Sequence, residues 1–143
     1  MSILNFLPNE NLPEGIYLAT WQEVREVLAF NDRRREILAG LKRACQSLKQ
    51  AGCTRVYIDG SFASSKEFPG DFDACWERTG VNPQLLDPVL LDFSNKRAAQ
   101  KAKYGGELFV ASSIADLKSR KTFLQFFQED RFGNPKGIIA IDL

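Results

Sequence analysis

Asp71 and Asp73 are two carboxylates separated by Phe72, and they follow Gly60-Ser61 after nine intervening residues. In an extended chain, side chains two apart share a face, so both carboxylates would be presented together while Phe72 turns into the core. Paired carboxylates repel and raise one another's pKa unless a cation lies between them. Mg²⁺ is typically held by one or two carboxylates plus the phosphates of a bound molecule. Glycine at position 60 lets backbone approach a phosphate closely, and Ser61 offers an N–H and a hydroxyl. The chemistry to expect is the handling of a phosphate and metal pair.

That chemistry needs two strands. Val56, Tyr57 and Ile58 form a β-branched and aromatic run that stops at Gly60-Ser61, and Asp71-Phe72-Asp73 opens a second apolar run. Upstream, the spacing predicts an extended arm over residues 1–19, broken by Pro8, Pro13 and Gly15, and a single domain over 20–143. Thr20 and Glu23 stand at capping-box spacing before a short helix whose face is Trp21, Val24 and Leu28. Asn31 is the cap expected for a longer helix from Asp32 to Gln50, with Ile37, Leu38, Leu41, Ala44, Cys45 and Leu48 at helical period. The run Arg33-Arg34-Arg35 in its first turns reads as a solvated face or as a contact to phosphate or an acidic partner.

Downstream, a short apolar helix is expected over Leu85 to Leu91, then a polar helix from Asp92 or Ser94 to Lys103. Glu107-Leu-Phe-Val-Ala111 reads as a third strand, and Ser113 to Phe127 as a last helix with a large aromatic set, which is core or in part a partner surface. Gly137 to Leu143 closes the chain as a buried strand. The fold class expected is α+β: one mixed sheet of about four strands covered by helices.

Composition narrows the function. The chain has 143 residues, 44% hydrophobic content, and a net charge of +1, which suits one cored domain and gives no general pull toward nucleic acid. Histidine is absent, which excludes Ser-His-Asp and Cys-His catalysis and His-containing zinc sites. Cys45, Cys53 and Cys75 are odd in number and widely spaced, so a reduced, cytoplasmic setting is expected. The apolar run Ile3 to Leu7 is too short for a signal core or a membrane span.

The hydrophobic-Gly-Ser turn followed by Asp-hydrophobic-Asp resembles the signature of the DNA polymerase β-like nucleotidyltransferase superfamily. Along most of its length the chain is also similar to an uncharacterised bacterial family of small nucleotidyltransferase-like proteins. That similarity is carried by Leu12-Pro-Glu-Gly-Ile16, Thr20-Trp21, Ile58-Asp-Gly-Ser-Phe62, Lys103-Tyr-Gly-Gly-Glu107, and Phe126-Phe-Gln-Glu-Asp-Arg131 through Lys136-Gly-Ile138. The resemblance implies a nucleotidyltransferase-like fold with Asp71 and Asp73 as catalytic metal ligands for Mg²⁺ or Mn²⁺. Glu107 matches the third carboxylate, although it follows glycine at the very start of its strand, and an ordinary strand-end glutamate is the other reading. Gly60 and Ser61 would face the phosphates of a nucleoside triphosphate, ATP by default. Ser65 and Lys66 in the loop, and Lys101 and Lys103 on the polar helix, are further candidates for phosphate contact; solvated loop and helix residues are the alternative. Asp59 could also reach the site or serve only the turn. The acceptor implied is a hydroxyl of a protein or transfer RNA, in a setting such as a bacterial toxin–antitoxin pair. A second reading is a catalytically weak protein of the same fold that binds and regulates a partner protein.

Overall fold

The computed structural model describes residues 4–143, and the start of the N-terminal arm and of its Ile3 to Leu7 run lies outside them. Five strands form one mixed sheet in the order β1-β5-β2-β3-β4. They are β1 (Ile16–Leu18), β2 (Arg55–Asp59), β3 (Phe72–Trp76), β4 (Gly106–Val110) and β5 (Ile138–Asp142). β2 lies antiparallel between β5 and β3, while the outer pairs β1·β5 and β3·β4 are parallel. The sheet thus has five strands where about four were expected. The addition is β1, three residues of the arm that pair Ile16 with Ile138 and Leu18 with Ala140.

Alternation divides the sheet into two faces. Val56, Ile58, Phe72, Ala74, Trp76 and Leu108 point to one side, where they join a core with the buried stripe of α2 (Asp32–Gln50). α1 (Trp21–Leu28) and α3 (Ser94–Tyr104) complete that layer. Tyr57, Cys75, Ile138 and Ala140 point to the other side, where the chain's last third, including the short helix α4 (Phe123–Phe126), lays Phe123, Leu124 and Phe127 over them.

The caps explain why the helices begin where they do. Glu23 N–H donates to Thr20 Oγ1 while Thr20 N–H donates to Glu23 Oε1, so two donors of α1 that have no partner within the helix are satisfied at once. Asn31 accepts from the Arg34 N–H at the start of α2. Two expected helices are cut down. Leu85 to Leu91 yields only a 3-10 turn at Pro88–Leu91, where Asp87 caps the turn and proline occupies its start. In the last segment, left-handed Arg120 and the capping residue Thr122 break the run, leaving four helical residues after a loop. α3 itself opens with three consecutive left-handed residues, Asn95, Lys96 and Arg97. No helix among the described residues is long and apolar enough to cross a membrane. Cys45, Cys53 and Cys75 are buried and unpaired with one another.

Candidate active site

Strand register lines up three carboxylates. Asp59 is the cross-strand partner of Asp73, and Asp73 is the partner of Glu107, so one row runs across β2, β3 and β4 on the face away from the main helices. Asp71, two residues before Asp73, stands at the entrance to β3 and feels the charge of Glu107. Close packing of acids has an electrostatic consequence. Burial, then the charges of Asp71, Glu107 and Asp59, push the Asp73 carboxyl up from 3.8 to about 7. Asp71 and Asp59 are also raised, in both cases mainly by burial.

Cations surround the row. Lys136 lies 3.0 Å from Asp59 Oδ1, and Lys101 and Arg97 lie 3.0 and 3.3 Å from Glu107 Oε1. Arg33 and Lys101 oppose the raising of Asp71 by its acidic neighbours. A cavity of about 360 Å³ opens beside the row, with Asp59, Asp73, Glu107 and Lys136 on one side and Phe123 and Phe127 on the other.

The loop from β2 to β3 is fixed from beneath by one buried side chain. Arg34 is fully buried and donates to the carbonyls of Ser61, Phe62, Ser64 and Lys66, and to Leu28 of α1. Its guanidinium also lies 4.4 Å from the Phe30 ring centroid. Arg33 secures the far end of the loop through the carbonyls of Pro69 and Gly70, and Asn31 donates to Glu67 O at 2.6 Å. Arg33 and Arg34 of the basic run therefore shape the loop, while Arg35 is exposed beside Asp32. Helical phase holds the signal that reveals this: Arg34 falls on the same stripe as Leu38, Leu41, Cys45 and Leu48, a position where a charge must be fully hydrogen-bonded.

Gly60 sits at φ +76, and a Cβ there would collide with the Asp73 carboxylate. Backbone and acid can be this close only because the residue is glycine. Ser61 begins a 3-10 turn directly after it and remains partly exposed. Of the loop residues, Ser65 is tied by its N–H to Glu10 O, and Lys66 gives its carbonyl to Arg34 while its side chain is exposed. Lys101 reaches the row. Lys103 does not: it is held 2.6 Å from Asp87 Oδ2, beside Tyr104, and is thereby directed away from the acids. Alternate residues of a helix cannot share a face, which corrects the expectation for Lys103.

The donor set can be tested against a divalent cation. Asp71, just before β3, and Asp73 within it are partly exposed, and both carboxyls are raised first by burial and then by acidic neighbours, Glu107 for Asp71 and Asp71 for Asp73, which fits a two-carboxylate Mg²⁺ site completed by phosphates. Glu107 is adjacent but committed to Arg97 and Lys101, and no group of three or more His, Cys, Asp or Glu among the described residues is arranged to hold a metal ion. Glu107, expected as a third ligand, thus stands next to Asp73 in strand register with its carboxylate paired to Arg97 and Lys101.

Fold and site together define a small α+β domain with a row of carboxylates at strand ends, framed by basic side chains and a glycine turn. The chain belongs to the family described as Family of unknown function (DUF6932), whose family model matches residues 4–142. No curated protein and no solved structure matches the chain.

Proposed function

We propose that the chain is a Mg²⁺-dependent nucleotidyltransferase with a nucleotidyltransferase-like fold, moving a nucleoside monophosphate from a nucleoside triphosphate to a hydroxyl of a protein or transfer RNA. The observation that carries this reading is the carboxylate row at the ends of β2, β3 and β4, set against Gly60 and framed by Arg33, Arg97, Lys101 and Lys136. Four acids gathered without cations would only repel; acids interleaved with bases suit a metal and polyphosphate pair, whose charges are of both signs.

Asp71 and Asp73 would hold Mg²⁺, which when bound neutralises phosphate charge and stabilises charge developing at the α-phosphate. Gly60 and Ser61 allow phosphate to approach the loop that Arg34 holds rigid. Lys101 and Arg97 offer cationic donors from α3, at the cost of loosening Glu107. In the transfer, the acceptor oxygen forms a bond to the α-phosphorus and the bond to pyrophosphate breaks. The acceptor proton passes to a carboxylate of the row, because the chain contains no histidine. A second reading, a partner-binding protein of weak activity, is favoured by one observation: the segment flanking the site exposes Leu117 at 88% and Phe132 at 77%.

Equilibrium dialysis of α-labelled ATP, with and without Mg²⁺, tests the proposal. Mg²⁺-dependent retention by the wild type, lost in Asp71→Asn/Asp73→Asn, is the expected result. Equal retention by both, or none by either, would move the assignment to the partner-binding reading.

A further inference from the structure

A second cavity adjoins the one beside the carboxylate row, with Phe109 and Phe123 lining both. It measures about 770 Å³ and follows the free edge of β4, where Trp76 and Val110 reach it from the helix-covered face and Phe109 and Phe123 from the other. Phe93, Leu86 and Leu91 close it from the connection between β3 and α3. Pockets of this volume accommodate a small organic molecule, and aromatic walls favour a planar one. Phe93, Phe109 and Phe123 are already near-parallel, at interplanar angles of 3° and 11° in successive pairs, so their ring faces set one common orientation.

Two details narrow the ligand further. Trp76 is 2% exposed and its Nε1–H has no protein acceptor; on Arg97, whose side chain is 31% exposed, the Nε atom alone is covered and also lacks one. Buried donors normally find a partner, and leaving one unmade costs about 1–3 kcal/mol. Both orphans are N–H groups on residues that line the cavity, though the nitrogens themselves are covered. The charged residues lining the cavity are Arg78 and Arg97, with no carboxylate among them. Arg97 is presented there by the left-handed residues 95 to 97, a conformation that costs each non-glycine residue about 1 kcal/mol. The strain is concentrated on the residue that joins this cavity to Glu107.

We infer that the β4-edge cavity binds a planar, fused-ring aromatic anion, its ring against the Phe93 and Phe109 side of the cavity and its negative group on Arg97 and Arg78. The shared chemistry, a flat ring with acceptors plus an anion, is found in a nucleotide and in a non-nucleotide aryl acid. The site shares Arg97 with the carboxylate row, but its occupancy does not require nucleotide transfer.

The test is a fluorescence titration of the folded chain with 1-anilinonaphthalene-8-sulfonate. Ser113 lines the cavity and is exposed, so Ser113→Trp fills the space with little risk to the fold, which a thermal melt verifies. Saturable 1:1 binding by the wild type is expected, weakened at least about tenfold by Ser113→Trp and by Arg97→Gln. Displacement by AMP alone would identify a nucleotide site, and displacement by 2-naphthoate alone an aryl-acid site. Absence of saturable binding, binding indifferent to Ser113→Trp, or displacement by neither anion would overturn the assignment.

Discussion

Replacing Asp73 with asparagine should stabilise the protein without metal, and the gain should depend on pH in one direction only. The Asp73 carboxyl is raised from 3.8 to about 7 by burial and by Asp71, Glu107 and Asp59. Between those two values the unfolded chain gives up the proton while the folded chain keeps it. Stability therefore falls as pH climbs through this window, and the full cost stands above about 7. The interval corresponds to about 4 kcal/mol as an upper bound, and partial solvent access brings the expected figure to about 2 kcal/mol. Asp73→Asn removes the charge and keeps the shape. At pH 8 the variant should melt several degrees above wild type, by roughly 4 °C per kcal/mol in a chain of this size. At pH 4 the gain should shrink to roughly a few tenths of a kcal/mol. Millimolar Mg²⁺ should raise the wild type and leave the variant where it was, because a ligand stabilises only the state that binds it. Thermal and urea denaturation at both pH values would measure this. A variant that is less stable than wild type at pH 8, or equally stabilised at pH 4 and 8, would refute the electrostatic reasoning.

Four other substitutions probe the surroundings of the site. Arg34→Met should cost about 3 kcal/mol or more, since it leaves five carbonyls of the Gly60 loop and α1 short of a donor, those of Leu28, Phe62 and Ser64 in buried surroundings; urea denaturation would show it, and a loss under about 1 kcal/mol would contradict the role. Gly60→Ala places a methyl on the Asp73 carboxylate at φ +76, and should lower stability by about 1–2 kcal/mol and abolish Mg²⁺-induced stabilisation in a thermal melt. Lys103→Ala, which releases only Asp87, should leave Mg²⁺-dependent nucleotide retention unchanged in dialysis, whereas Lys101→Ala should weaken it several-fold.

What the sequence made legible was local. Runs such as Val56-Tyr57-Ile58 and Ile138-Ile139 ended by glycine or charge announced four strands, and the alternation in Asp71-Phe72-Asp73 correctly sent Phe72 into the core with the acids on the opposite face. α1 and α2 announced themselves through Thr20, Glu23 and Asn31, because caps are satisfied by neighbours in sequence. Long-range partners left no such trace. β1 exists because β5 offers it a free edge, which nothing in Ile16-Tyr17-Leu18 announces. The carboxylate row needed the register of three strands, so Lys136 beside Asp59 was invisible until β5 was placed next to β2. Arg34 was hidden by its company: flanked by Arg33 and Arg35, it read as surface charge, while its helical phase put it in the core. Lys101 and Lys103 looked equivalent, but two residues on a helix turn a side chain through about 200°, and only Lys101 meets Glu107.

On the proposed function, Asp71 and Asp73 hold a metal at which a nucleotide is transferred. Incubating the wild type with each of four α-labelled nucleoside triphosphates, Mg²⁺ and cell extract tests it directly, with Asp71→Asn/Asp73→Asn as control. A labelled acceptor band formed by wild type and missing from the control is the predicted result. Equal labelling by both chains, or no labelling with any of the four nucleotides, would contradict it.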